Sequence, residues 1–182
     1  MMCLLNQGIF STRFGTGGVV ASAQGVTAVM LPFGNRTQQE VIAEIARRYP
    51  GAGSGNLYSA SAAEELEAYF AGERVRFSCP LDLAGCTPFQ KAVYERVAGI
   101  AYGRVCSYGQ VAGFIGRPGA ARGVGSAMAA NRLPVLIPCH RVVAADGAMV
   151  GYSAPGGIAS KMLLLDIEGV QFTSSGRAVF SE

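Results

Sequence analysis

The chain has few of the residues from which metal sites and disulfide frameworks are built. It contains one histidine, His140, and five cysteines, none of which stands in a CxxC pair: Cys3, Cys79, Cys86, Cys106 and Cys139. An odd number of scattered thiols makes a disulfide framework improbable. A single histidine also fails to give the usual ligand spacing of a structural zinc site. We therefore expect no metal and no organic cofactor.

Long hydrophobic runs and targeting signals are also missing. Half of the 182 residues are hydrophobic, but no uninterrupted apolar run approaches the roughly 18 residues of a membrane span. The opening segment MMCLLNQGIFSTRF lacks the basic start and the cleavage site of a signal peptide. No phosphate-binding loop, GxGxxG motif or internal repeat is visible. These absences predict a cytoplasmic protein that does not enter a membrane.

The positive charge is confined to the second half of the chain. Residues 1–79 carry six arginines and six acidic residues, whereas residues 80–182 carry nine basic and six acidic residues. Between Glu95 and Asp146 there is no acid, but there are six arginines: Arg96, Arg104, Arg117, Arg122, Arg132 and Arg141. The stretch is either a solvated face or a surface for a polyanion such as DNA.

The first half of the chain has the pattern of a small α/β unit and shows no candidate chemistry. Residues 18–31 form two β-branched runs around Gln24 and Gly25, which predicts a hairpin. Residues 40–49 have helical spacing, and residues 50–56 are predicted as a loop. Ser61 and Glu64 predict a capping box for a helix ending near residue 72, and residues 74–77 alternate like a strand. We predict an N-terminal α/β domain over residues 1–79 and a linker over residues 80–86.

Residues 87–182 are predicted as a second, mainly helical domain. Thr87 with Gln90, and Ser107 with Gln110, form two capping boxes that open helices. A Gly/Pro break at residues 116–119 separates the second of these helices from another at residues 120–130, which is the helix-turn-helix pattern. The last of these helices has many alanines and glycines and one long polar side chain, Arg122. Such a helix suits either tight packing or close approach to the DNA minor groove.

The stretch LPVLIPCHRVV, residues 133–143, places the single histidine directly after Cys139. A buried thiol beside a satisfied imidazole is one interpretation, because free cysteine is often a small core residue. Another is a thiol activated for nucleophilic attack. A cysteine hydrolase is a weaker hypothesis, because such enzymes bring their histidine from elsewhere in the chain.

The segment IPCHRVV, with AAR…N before it and GYS…K…LL…EG after it, resembles the O6-alkylguanine-DNA alkyltransferases over about residues 87–169. The resemblance implies a mixed α/β (α+β) fold. Its small N-terminal domain would be ribonuclease-H-like, and its C-terminal domain would hold a winged-helix-like helix-turn-helix. Some members hold zinc in the N-terminal domain through histidines, and this chain has no histidine before His140.

The resemblance also implies a function. Such a protein binds double-stranded DNA as a monomer and flips out O6-alkylguanine, with O4-alkylthymine as a further candidate. It then moves the alkyl group irreversibly to its own cysteine, once per molecule. A non-catalytic lesion-binding relative is the alternative, although those relatives lack the acceptor cysteine.

Five residues match the family's reactive positions. Cys139 matches the alkyl acceptor, His140 the base that acts through a water, and Glu168 the acid that orients this histidine. Asn131 matches the residue that braces the active-site turn, and Tyr108 the tyrosine that contacts the DNA backbone and the flipped base. We expect a thiolate whose pKa is lowered. We also expect an extended segment in which Cys139 and His140 point apart.

Further positions match the family's contacts to DNA or to the base. Arg122 matches the finger that fills the vacated base stack, while Tyr152 and Ser153 match the loop that closes on guanine. The carbonyl of Val142 matches the group that reads the guanine amino group. The remaining expected contacts are Ala121, Gly125 and Pro134. Two extra residues, one near Met149 and one near residues 154–155, leave the tolerated size of the alkyl group open.

Overall fold

The structure is a computed structural model that describes residues 4–180. The chain divides into two compact units, one ending at Ala84 and the other beginning at Gly85. Cys3, to which no role was assigned, lies outside the described residues. No helix within residues 4–180 is long and apolar enough to cross a membrane.

The first unit packs two helices against a four-stranded sheet with the order β3-β2-β1-β4. Its elements are β1 (Asn6–Thr12), β2 (Gly15–Ala21), β3 (Val26–Met30), α1 (Gln38–Arg48), β4 (Gly53–Ser54) and α2 (Leu57–Phe70). Strands β2 and β3 pair antiparallel, which confirms the predicted hairpin. Val41 and Ile45 of α1 pack on the sheet. A Cβ at Gly18 would lie 2.9 Å or less from both side chains, so glycine lets α1 approach β2.

Three predictions for this unit were wrong. Helix α2 begins at Leu57, because Asn56 caps it and accepts the N–H of Ser59 at 2.9 Å. The capping box predicted at Ser61 therefore lies inside the helix. Residues 50–56 contain the short strand β4, which pairs with β1. Residues 74–77 form no strand, since alternation gives a strand only where a neighbouring strand offers its backbone.

The start of α2 can be tested by removing its cap. Asn56→Ala should lower the free energy of unfolding by about 1–2 kcal/mol, because the N–H of Ser59 loses its acceptor. Glu64→Ala is the matched control and should change stability by less than about 0.5 kcal/mol. Urea denaturation measures both. A larger loss of stability for Glu64→Ala than for Asn56→Ala would support a helix that begins near Ser61.

The second unit surrounds a buried turn with helices. Its elements are α3 (Pro88–Ala98), β5 (Cys106–Ser107), α4 (Tyr108–Phe114), α5 (Ala121–Ala129), a 3-10 turn (Cys139–Arg141), β6 (Val142–Val143) and α6 (Gly157–Ile167). The capping boxes of Thr87 and Ser107 are both present, as predicted. The Tyr94 hydroxyl donates to the carbonyl of Ala127 at 3.0 Å and ties α3 to α5.

The backbone at Cys139 differs from the expectation. Cys139 and His140 lie in a 3-10 turn and not in an extended segment, since Arg141 N–H donates to the carbonyl of Pro138 at 2.9 Å. Strand β6 begins at the residue that follows the turn and pairs in parallel with β5. The turn therefore lies between this two-stranded sheet and α6, in the interior of the unit.

Candidate active site

A cavity of about 590 Å³ opens above Cys139. The N-terminal end of α4, one face of α5 and the loop after β6 supply its walls. The lining residues are Tyr108, Ala121, Arg122, Gly125, Met128, Ala129, Cys139, Val150, Gly151, Tyr152 and Ser153. Cys139 is 7% exposed, so its sulfur is reached through the cavity.

The turn before Cys139 is held by Asn131. The side-chain amide of Asn131 donates to the carbonyl of Ile137 at 2.9 Å, and its oxygen accepts the N–H of Leu133 at 2.9 Å. Between these residues, Val135 has a φ of 75°, a conformation that costs energy for a β-branched side chain. These two hydrogen bonds stabilise the strained turn that presents the thiol.

Burial raises the pKa of the Cys139 thiol above its ordinary value, which contradicts the expected lowering. The nearby polar groups of Asn131 and Tyr152 and the charge of Lys161 oppose the effect of burial on this pKa without cancelling it. The thiol is therefore protonated in the free protein at neutral pH. The surroundings nonetheless supply the groups that would stabilise a thiolate once its proton leaves.

His140 and Glu168 form a fully buried pair. The Nε2 atom of His140 lies 2.7 Å from Oε1 of Glu168, and both side chains are 0% exposed. Burial would raise the pKa of Glu168, but the contacts with His140 and Arg141 lower it well below its usual range. Burial lowers the pKa of His140 despite the carboxylate beside it. The pair is thus a carboxylate and a neutral imidazole.

Arg141 was counted in the basic stretch, but it is not a surface residue. It is 8% exposed, and its guanidinium forms an ion pair with Glu168 at 2.8 Å. Arg96 is half-buried and lies over the Phe114 ring, 4.0 Å from its centroid. Four arginines of the stretch are exposed: Arg104, Arg117, Arg122 and Arg132.

Lys161 is a site residue to which the sequence analysis gave no role. It is 0% exposed, and its ammonium donates to the carbonyl of Val142 at 2.6 Å. Burial lowers its pKa to about 8, while the nearby Cys139 acts in the opposite direction. The lysine of the GYS…K…LL…EG pattern was the available signal. The positive charge of a nearby ammonium favours the thiolate form of a thiol.

Tyr108 and Tyr152 close two sides of the cavity. The Tyr108 hydroxyl donates to the carbonyl of Val150 at 3.3 Å, which links α4 to the loop. Burial raises the pKa of both phenols, so both remain protonated donors at neutral pH. Two phenol side chains therefore line the cavity that contains the Cys139 thiol.

Most of the predicted contact residues line this cavity, but two do not. Pro134 and Val142 are buried and are absent from its lining. The carbonyl of Val142, predicted to read guanine, already accepts Lys161. A carbonyl has a second lone pair, so one further donor can still bind there.

Helix α5 has one face that packs in the interior and one face that is exposed. Val124, Ala127 and Met128 are buried, and a Cβ at Gly123 would lie 3.2 Å from the Phe89 ring. Arg122 lies on the exposed side. Small residues therefore allow tight packing on one face, and on the other face few side chains protrude around Arg122. Among residues 4–180 there is no cluster of three or more histidine, cysteine, aspartate or glutamate side chains suited to a metal ion.

Comparison with known proteins identifies the family of the chain. The family profile described as 6-O-methylguanine DNA methyltransferase, DNA binding domain, matches residues 88–170. The methylated-DNA–protein-cysteine methyltransferase of Mycobacterium leprae is 45% identical over 116 residues, which cover 64% of this chain and 68% of the relative. The chain belongs to the methylated-DNA–protein-cysteine methyltransferase family. The resemblance inferred from IPCHRVV is thereby confirmed.

Solved structures of this methyltransferase family agree with the fold. The crystal structure of Mycobacterium tuberculosis O6-methylguanine methyltransferase has a TM-score of 0.72 and 33% identity, covering 91% of this chain and 93% of the other. The structure of the same bacterium's OGT in complex with DNA has a TM-score of 0.71 and 34% identity, covering 90% and 92%. These likenesses confirm the predicted mixed α/β fold class.

The buried ammonium can be tested through stability. Folding holds the pKa of Lys161 at about 8 against 10.5 for an ordinary lysine, so the folded state binds fewer protons between these values. The free energy of unfolding that Lys161 contributes therefore rises with pH across that window. Lys161→Met should be more stable than the parent protein at pH 7.5 by about 1–3 kcal/mol, and this gain should shrink by pH 10.

Urea denaturation at the two pH values measures the effect, and Lys91→Met, at an exposed position, is the control. A Lys161→Met protein that is less stable than the parent by the same amount at both pH values would contradict a charge-burial cost.

Proposed function

We propose that this protein repairs DNA by moving an alkyl group from O6-alkylguanine to Cys139. The observation that carries the proposal is the position of Cys139 in the lining of a cavity of about 590 Å³, which has room for a nucleobase and opens beside the exposed Arg122. Guanine has polar edges and flat apolar faces, which suit a mainly apolar cavity containing two phenols. The names of the relatives and the DNA-bound structure support the same activity.

Double-stranded DNA would bind along α5. Its exposed side presents small residues, so a backbone can approach closely, and the four exposed arginines supply positive charge for phosphates. The reactive O6 atom of guanine lies inside the duplex, so the base must leave the stack to reach Cys139. Arg122 borders the cavity and is the side chain that would occupy the vacated space.

The transfer would be a nucleophilic substitution at the alkyl carbon. The sulfur–carbon bond forms as the carbon–O6 bond breaks, and guanine leaves with the bonding electron pair. The thiol proton would pass to neutral His140 through a bridging water. The hydroxyl group of Tyr152 can donate to the base, as can that of Tyr108 once it leaves the carbonyl of Val150, and these donors would stabilise the charge that develops on the base.

The product would be a thioether that the protein cannot reverse. A thioether sulfur is a poor leaving group, and the cavity lining offers no second thiol that could accept the alkyl group. Each molecule would therefore repair one lesion. This irreversibility separates the proposal from a cysteine hydrolase, and the presence of Cys139 separates it from a non-catalytic lesion binder.

We further propose that residues 87–182 form the DNA-binding and acceptor domain, joined by residues 80–86 to an N-terminal domain of residues 1–79. One copy of the chain suffices for this chemistry, because its reactive groups all come from the second unit. We accordingly propose that the protein acts as a monomer. We also propose that it acts in the cytoplasm.

The acceptor can be tested by intact-mass spectrometry after incubation with a duplex containing O6-methylguanine. The parent protein should gain one methyl mass on the peptide that contains Cys139, and Cys139→Ser should gain none while it still binds the duplex. Cys86→Ser removes a partly exposed thiol and should be methylated normally. Methylation of Cys139→Ser would assign the acceptor role to another cysteine.

The role of Arg122 predicts a defect that depends on the substrate. Arg122→Ala should slow repair of duplex DNA by about 10–100-fold, because the extruded state loses a side chain that fills the stack. Reaction with free O6-benzylguanine should be nearly unchanged, since that base needs no extrusion. Arg117→Ala is the comparison variant, and it should mainly weaken duplex binding and reduce its salt dependence. Equal defects of Arg122→Ala on both substrates would reject the finger role.

A further inference from the structure

The Glu168 carboxylate is shared between two neighbouring residues of the active-site turn. Arg141 Nε donates to Oε2 and Nη2 donates to Oε1, both at 2.8 Å, while His140 Nε2 lies 2.7 Å from Oε1. The backbone N–H of Gly103 adds a contact to Oε2 at 3.1 Å. Arg141 thus donates hydrogen bonds to both carboxylate oxygens of Glu168, the acid that orients His140.

The charges in this buried cluster decide which form of His140 is stable. The guanidinium and the carboxylate cancel, so neutral His140 leaves the three side chains without net charge. Protonation of His140 would leave one uncompensated positive charge in the protein interior, where it is costly. Without Arg141 the balance reverses, because Glu168 and a protonated His140 would then form the neutral combination.

We propose that Arg141 is a positioning residue that keeps His140 neutral, and so able to accept a proton, until Cys139 releases one. This inference rests on the proposed function, because it gives His140 the task of accepting the thiol proton. Once the thiolate forms, its negative charge compensates the protonated imidazole. Proton transfer from the Cys139 thiol to His140 therefore creates no net charge in the interior.

The charged and titratable groups around His140 agree with this account. They are Glu168, Arg141, Lys161 and the Cys139 thiol. Burial is the largest cause that lowers the pKa of His140, and the positive charges of Arg141 and Lys161 lower it further and oppose Glu168. Lys161 acts from helix α6, and Arg141 acts through the carboxylate that it shares with the imidazole.

The geometry also explains why this position holds arginine. Besides the two carboxylate oxygens, the guanidinium reaches the carbonyl of Ile100 at 2.6 Å through Nη1. Only a planar fork of donors can contact three acceptors in fixed directions. A lysine here would keep the charge beside Glu168 but would lose the fixed geometry, so Arg141→Lys separates the two contributions.

Histidine titration tests the inference directly, because the chain has one histidine and its imidazole signals in NMR are those of His140. With a tag-free protein, the His140 pKa should rise in Arg141→Met and return towards the parent value in Arg141→Lys. Arg177→Met breaks an exposed ion pair with Asp146 and should leave the titration unchanged. A folded Arg141→Met protein whose His140 titrates as in the parent would overturn the proposal. Should Arg141→Met not fold, Arg141→Gln carries the same expectation.

The pH profile of alkyl transfer provides a second readout. At saturating duplex in single-turnover conditions, Arg141→Met should be about tenfold slower than the parent at pH 6.5 and should approach it at pH 8.5, because its His140 is protonated at the lower pH. Arg141→Lys should recover most of the loss. A purely structural role would slow transfer by the same factor at every pH and would overturn the proposal. If the parent protein transfers nothing at any pH, the proposed function fails, and the His140 titration still decides the role of Arg141.

Discussion

The buried Glu168 carboxylate is the interaction on which the rest of the site depends. It follows α6, yet its oxygens hold His140, Arg141 and the backbone of Gly103, so three separate segments meet there. Gly103 has a φ of 75°, and a Cβ on it would lie 2.9 Å from the carbonyl of Glu168, so glycine is required at this approach. Without this carboxylate, the turn that presents Cys139 would lose the hydrogen bonds and the ion pair that join His140 and Arg141 to the end of α6.

One feature of the site, the buried Lys161 ammonium, lowers stability and favours reactivity. A fully buried ammonium, Lys161, costs folding free energy that an apolar side chain would not. The same ammonium opposes the effect of burial on the Cys139 thiol. The protein thus keeps its thiol protonated at rest and has the charges for a thiolate already in place. This arrangement suits a residue that is consumed once, since an unguarded thiolate would be open to oxidation.

Local signals predicted most of the local structure, and tertiary effects account for the errors at Arg141 and Cys139. The capping boxes at Thr87 and Ser107 were found because both partners lie within one helical turn. The start of α2 was missed because Asn56 and Ser59 form a less familiar box five residues earlier. Arg141 was counted as a surface charge, since its partner Glu168 is 27 residues away. The direction of the Cys139 pKa shift depends on burial, which no spacing of residues in the sequence reveals.

The central claim is that Cys139 is a reactant and is consumed in the reaction. Its most direct test is the time course of demethylation with a several-fold excess of duplex DNA containing O6-methylguanine and no added thiol. The account predicts a burst of repaired guanine equal to the concentration of active protein, followed by no further reaction. Continued turnover after the burst would contradict an irreversible thioether at Cys139 and would support a hydrolytic mechanism.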